Sequence, residues 1–252
     1  MSKPYNDLLT AASSVLGAGK MEPRRSDVVA ERRVAITVDG LDRFPAAGTP
    51  VRCGLPLEKG QVKDLSRVGL LDEAGKPVPA QAWATGYWQD GSIKWLALEF
   101  MATGKRYTAA IGGTAPPHPV RPIQAWEDEQ SVTIVTGPMK LMVAKNGFAF
   151  PGAVWIDRDG DGIFAEAEKI TDGGRMFVKV RGEPSGTYVA CAERVQLETA
   201  GPLRATVRLA GTYAGEEGSI DRWEMRIHAY AGSDCLVVQH SFQNELDVRN
   251  TE

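Results

Sequence analysis

Residues Gln81–Phe100, QAWATGYWQDGSIKWLALEF, decide the fold class. The run reads as two strands that reverse at Asp90-Gly91. Both residues of a two-residue type I′ turn need positive φ, and Asp-Gly is among the least costly pairs to place there. Folding at that point sets Gln89 against Ser92, Trp88 against Ile93, Tyr87 against Lys94 and Gly86 against Trp95. Alternation then puts Ala84, Gly86, Trp88, Ile93, Trp95 and Ala97 on one face. Trp83, Thr85, Tyr87, Lys94, Leu96 and Leu98 share the other. Trp95 can cover the bare Gly86. Both faces carry bulk, so the hairpin is expected at the centre of a sheet or closed barrel, with its aromatics in the core rather than forming a platform for sugars.

Working outward, Val34, Ile36 and Val38 alternate with smaller residues as a strand ending at Asp39-Gly40. Phe44–Val62 is broken by Pro and Gly into short extended pieces, and Val68–Leu71 and Tyr107–Ile111 read as strands. These make about six short strands over 34–113, the size of a small barrel. Gly112–Pro122, GGTAPPHPVRP, is a Pro-rich boundary, and the linker itself is set at 114–125. Long alternating segments follow over 126–252, from Ser131–Thr136 to Cys235–Phe242, and suggest an antiparallel sandwich. Its last strand runs almost to Glu252, so the sheet is expected to be incomplete or completed elsewhere. Before the barrel, residues 1–33 read as a short amphipathic helix over 3–17, closed by Gly17 and Gly19, and a charged linker. The fold class is therefore all-β: a small barrel, then a sandwich, with a short N-terminal helix.

Composition excludes several functions. At 252 residues with a net charge of −3, the chain has no electrostatic case for nucleic acid or an anionic membrane. No run approaches the roughly 20 apolar residues of a spanning helix. Asp7 stands where a signal peptide would be basic, so a cytoplasmic location is expected. Cys53, Cys191 and Cys235 have neither disulfide-framework nor metal spacing.

One motif has metal-site spacing. Asp157–Glu168 reads DRDGDGIFAEAE. Asp157, Asp159 and Asp161 fall at positions 1, 3 and 5 of a twelve-residue calcium loop, Gly162 at 6, the Ile163 carbonyl at 7 and Glu168 at 12. Alternating carboxylates converge when such a loop curls, which suits a hard cation taking six to eight oxygens. The flanks are strand-like rather than helical, so the expectation is a Ca²⁺ loop between strands with a structural role. The competing reading is a solvated Asp-Gly turn.

Other chemistry is sparse. Glu224, Arg226, His228 and Tyr230 alternate onto one strand face. Arg226, His228 and Tyr230 could bind and deprotonate an acidic sugar, as β-elimination of a uronide requires. The competing reading is an ordinary polar outer face. His240 reads as a core or interface residue and His118 as an exposed linker residue. The sequence has no Gly-x-Ser-x-Gly and no Gly-rich phosphate loop.

Three stretches resemble the N-terminal RIFT-type barrel of the exo-rhamnogalacturonan lyase / YetA-like family: Thr49–Val62, Leu70–Phe100 and Thr108–Gly113. The most specific piece is W-x-D-G-S-x-K-W at Trp88–Trp95, preceded by Gly54, Pro56 and Gly60. Gly201–Tyr213 and Trp223–Phe242 are similar to the family's central sandwich. The resemblance implies carbohydrate chemistry on acidic pectic polymers. It also implies a helical toroid in the full-length enzymes, and it carries no catalytic residue onto this chain. Three readings follow. The first is an accessory or substrate-positioning module whose partners are an acidic oligosaccharide or a C-terminal toroid domain. The second is a calcium-stabilised structural module with no sugar ligand, and the third is a self-sufficient polysaccharide lyase.

Overall fold

The computed structural model describes residues 31–40, 48–113, 121–181, 185–216 and 218–243. The helix expected over 3–17 lies outside them, as do His118 and much of the Pro-rich boundary. The described residues belong to one compact unit. All the sheets are antiparallel.

Among the described residues six strands build the barrel: β1 (Arg32–Thr37), β2 (Thr49–Pro56), β3 (Val68–Asp72), β4 (Ala80–Tyr87), β5 (Ile93–Ala102) and β6 (Arg106–Ile111). They form two three-stranded sheets, β1-β6-β3 and β2-β5-β4. Leu96, Leu98, Phe100 and Ala102 alternate inward along β5 and meet Leu70, Ile111 and Tyr107 in a core that excludes water. Phe100 and Tyr107 are tilted against each other at 4.7 Å. Burial of this alternating set, at about 25 cal/mol per Å² of apolar surface, is what closes the barrel.

The hairpin forms where expected, with a different turn. Trp88 N–H donates to the Ser92 carbonyl at 2.8 Å and Gly91 N–H to the Trp88 carbonyl. Gly91 has φ +78°, while Asp90 is not among the residues at positive φ. The loop is therefore Gln89-Asp90-Gly91, a type I turn closed by one left-handed glycine. The Asp90 carboxylate accepts from Ser92 N–H and Ser92 Oγ instead of tolerating a left-handed backbone. That extra loop residue slips the register by one, and two compensating shifts, one on either side of Gly86, leave that residue alone opposite Trp95. A slip of one residue exchanges faces. Trp83 consequently pairs with Ala97 and joins the face of Trp95 and Glu99, while Ala84 turns to the core with Leu96. The aromatics are outside the barrel core: Trp95 is 48% and Tyr87 63% exposed.

Among the described residues the sandwich has ten strands. In one sheet are β7 (Gln124–Glu127), β8 (Ser131–Val135), β9 (Met139–Ala144), β10 (Ala153–Ile156) and β11 (Lys169–Thr171), in the order β11-β10-β9-β8-β7. In the other are β12 (Phe177–Val180), β13 (Gly186–Ala200), β14 (Arg204–Gly215), β15 (Gly218–Tyr230) and β16 (Leu236–Gln243), in sequence order. Inward residues of both sheets share one core, including Ile134, Leu141, Val207, Leu209, Met225 and Ile227. The short strands β7 and β11 have no counterpart in the sequence reading, since each is too brief to show a period. His240, expected in a core or interface, projects from the edge strand β16 and is exposed, with its ring 6.2 Å from that of Phe242.

Candidate functional site

The outward face of β14 and β15 is set by register. Arg204 lies opposite Tyr230, Thr206 opposite His228, and Arg208 opposite Arg226. The barrel covers the first two pairs. On β5, Glu99 alternates with Leu98 and Phe100 and so points away from the barrel core, into the sandwich. Arg204 Nε donates to Glu99 Oε2 at 2.7 Å. Tyr230 Oη donates to Glu99 Oε1 at 3.0 Å, and Arg52 Nη2 reaches the same oxygen at 3.4 Å. Glu99, Arg204 and Tyr230 are buried, with Glu99 only 1% exposed. The Gln81 side-chain oxygen accepts from the backbone N–H groups of Leu203 and Arg204, both at 3.3 Å. Gly201 permits that approach, because a Cβ there would stand 2.2 Å from the Gln81 amide. The guanidinium groups of Arg52 and Arg204 both lie within cation–π range of Trp83, at 5.3 and 5.8 Å.

His228 is inside this network. Its Nδ1 is 3.2 Å from Arg204 Nη1 and 2.9 Å from Thr206 Oγ1, and Arg204 also bonds Thr206. Since a guanidinium only donates, Nδ1 is the acceptor; Nε2 then carries the proton toward Gln239 Oε1 at 3.3 Å. Burial holds the imidazole below its ordinary value, helped by Arg204 and Arg52, so at neutral pH it is uncharged. Burial and then Glu99 push the Tyr230 phenol up, which keeps it a donor.

Arg226 shares the strand face but belongs to another cluster. It donates through Nε and Nη2 to Glu198 and through Nη1 to Glu224, which also accepts from Arg208. These pairs raise the Arg226 guanidinium, through Glu198 first, and hold both carboxylates below their usual range. The structure therefore joins His228 and Tyr230 and separates Arg226 from them.

In the 157–168 loop the three aspartates converge: ligand-type oxygens of Asp157, Asp159 and Asp161 lie within 4.8 Å of one another. Asp157 accepts from Gly160 and Gly162 N–H, Asp159 from Asp161 N–H, and Asp161 from Ile163 N–H. Glu168 behaves differently. Its two oxygens accept from Arg158 and Ala165 N–H at 2.8 and 3.1 Å, so this carboxylate clamps the entrance and exit of the loop. The aspartates fit a hard cation; Glu168, as placed, serves the backbone.

The residues missed in the sequence are Glu99, Arg204, Arg52 and Gln81. Glu99 carries a signal: a lone carboxylate inside the apolar run Leu96–Ala102. Nothing local marks Arg204 as its partner, because the pairing is made across 105 residues.

A small barrel fused by a buried ionic junction to an antiparallel sandwich defines the class of protein. The PcRGLX-like N-terminal RIFT barrel domain matches residues 35–111, and the PcRGLX-like protein central beta sandwich domain matches residues 123–251. The chain belongs to the PcRGLX-like family, and its two domains make it a rhamnogalacturonan lyase-related module. It is also similar to the uncharacterized protein YetA of Bacillus subtilis (strain 168), at 24% identity over 210 residues. That match covers 78% of this chain and 23% of YetA, so the chain spans about a quarter of that relative's length. Among the described residues no helix is long and apolar enough to cross a membrane.

Proposed function

We propose that the chain is an accessory unit that holds an acidic oligosaccharide for chemistry performed on another domain, the C-terminal toroid being the natural partner. The observation that supports it most is how the polar strand face is used. An elimination base must be able to accept a proton from the sugar. His228 Nδ1 is already an acceptor for Arg204 and Thr206, Tyr230 is engaged with Glu99, and Arg226 is consumed by two carboxylates. The face binds one domain to the other instead of standing open to substrate. The test is incubation of the purified chain with acidic pectic oligosaccharides. Binding in a calorimeter without growth of the ultraviolet absorbance of an unsaturated uronide is the expected result. Growth of that absorbance, lost in His228→Ala, would establish the self-sufficient lyase instead.

The convergence of Asp157, Asp159 and Asp161 favours a second element: a structural Ca²⁺ in the sandwich, taken by those carboxylates with the Ile163 carbonyl. In that reading the ion offsets mutual repulsion and fixes the loop between β10 and β11. Calcium binding with no affinity for any uronide would favour the purely structural module.

A further inference from the structure

The outward face of the sheet β2-β5-β4 continues past the junction as a groove of about 330 Å³, lined by Arg52, Cys53, Gly54, Thr85, Trp95, Leu96 and Ala97. Its floor is small. Gly54 pairs with Ala97, and a Cβ at Gly54 would meet nothing within 4 Å. Trp95 stands in the row on one side, with its indole laid over Gly86. Arg52, whose side chain is 49% exposed, stands in the row on the other. At about 3.3 Å per residue the two rows are roughly 13 Å apart along β5. That leaves space for one sugar ring on the indole and for a carboxylate of the same or the adjoining ring at the guanidinium.

The charges point the same way. Arg204 and Tyr230 take Glu99 at 2.7 and 3.0 Å, while Arg52 holds it at 3.4 Å. Two guanidinium groups therefore share one carboxylate beside a neutral imidazole, which leaves the junction one positive charge in excess at its open end. A guanidinium is made for bidentate pairing with a carboxylate.

We propose that the barrel groove binds a carboxylate-bearing pyranose, its ring stacked on Trp95 and its carboxylate paired with Arg52. This rests on the accessory reading and gives it a location. The experiment is calorimetric titration of the full chain with digalacturonate and with its carboxyl-reduced, neutral counterpart. The neutral sugar, Trp95→Ala and Arg52→Gln are each expected to weaken binding about tenfold. Gly54→Val, which puts a side chain into the open space of the floor, is expected to abolish binding while leaving the thermal midpoint in place. This variant keeps the test sound if Trp95→Ala disturbs the hairpin. Unchanged digalacturonate affinity in Gly54→Val and Arg52→Gln would overturn the groove and leave the accessory reading standing. No binding of digalacturonate to the wild-type chain at millimolar concentration would overturn both.

Discussion

Glu99→Gln is the sharpest test of the junction. The substitution keeps shape and removes one charge. Arg204 is 5% exposed and its Nε bond to Glu99 is its link to a carboxylate. Breaking a buried pair from one side leaves an uncompensated charge and costs about 3–5 kcal/mol. The glutamine oxygen can still accept from Tyr230, so no further loss is added there. For a chain of this size 1 kcal/mol moves the thermal midpoint by about 2–4 °C, so the expected fall is between about 6 and 20 °C. Arg204→Met should cost less, because Arg52 and Tyr230 remain on Glu99. The double variant removes both charges and should lie within about 1 kcal/mol of the wild type, a coupling of roughly 2 kcal/mol or more. Urea unfolding, followed by fluorescence and circular dichroism to check that the transitions coincide, measures all three. A cost below about 1 kcal/mol for Glu99→Gln, or additive single costs, would falsify the claim that the two domains meet through a dry charge pair.

Three other outcomes are expected. His228 is held neutral by burial and by Arg204 and Arg52, with Glu99 opposing, so its contribution to stability is present above the ordinary imidazole value of about 6.5 and is lost as pH falls through the lower folded value. The midpoint should therefore drop as pH falls below about 6.5, and His228→Gln should flatten that drop; an identical slope in the variant contradicts the assignment. Added Ca²⁺ should raise the midpoint and EDTA reverse it, with Asp159→Asn blunting the response; a melting curve indifferent to both argues against the ion. Phe100→Ala empties a fully buried site against Tyr107 and should cost about 3–5 kcal/mol by denaturant unfolding.

How much of this was legible depends on the range of the interaction. Alternation is local, so Leu96, Leu98 and Phe100 announce a buried strand face and the long strands β13–β16 announce a sandwich. The Asp157–Asp161 spacing is also local, and the three carboxylates do converge. The turn failed by one residue because Asp90 had two ways to serve a tight reversal. A carboxylate that caps Ser92 N–H is less costly than a left-handed aspartate, and choosing it turned Trp83 to the other face. Glu168 is ambiguous for a similar reason. A position-12 carboxylate can close an ion's shell or hold two backbone amides, and spacing alone does not distinguish them.

The junction was the least legible part, and its chemistry explains what it does. An apolar contact between barrel and sandwich would tolerate sliding, because hydrophobic burial has no direction. Glu99, Arg204, Tyr230 and Gln81 specify one orientation through bonds of fixed geometry, at a desolvation cost that makes the contact selective more than strong. Such a junction suits a unit whose task is to present a surface at a set angle to something else. The same orientation leaves Arg52, the most weakly held member, at the mouth of the groove that Trp95 lines on its other side. A carboxylate arriving there would supply the charge that Glu99 alone cannot, so ligand binding and the seating of the two domains should reinforce each other.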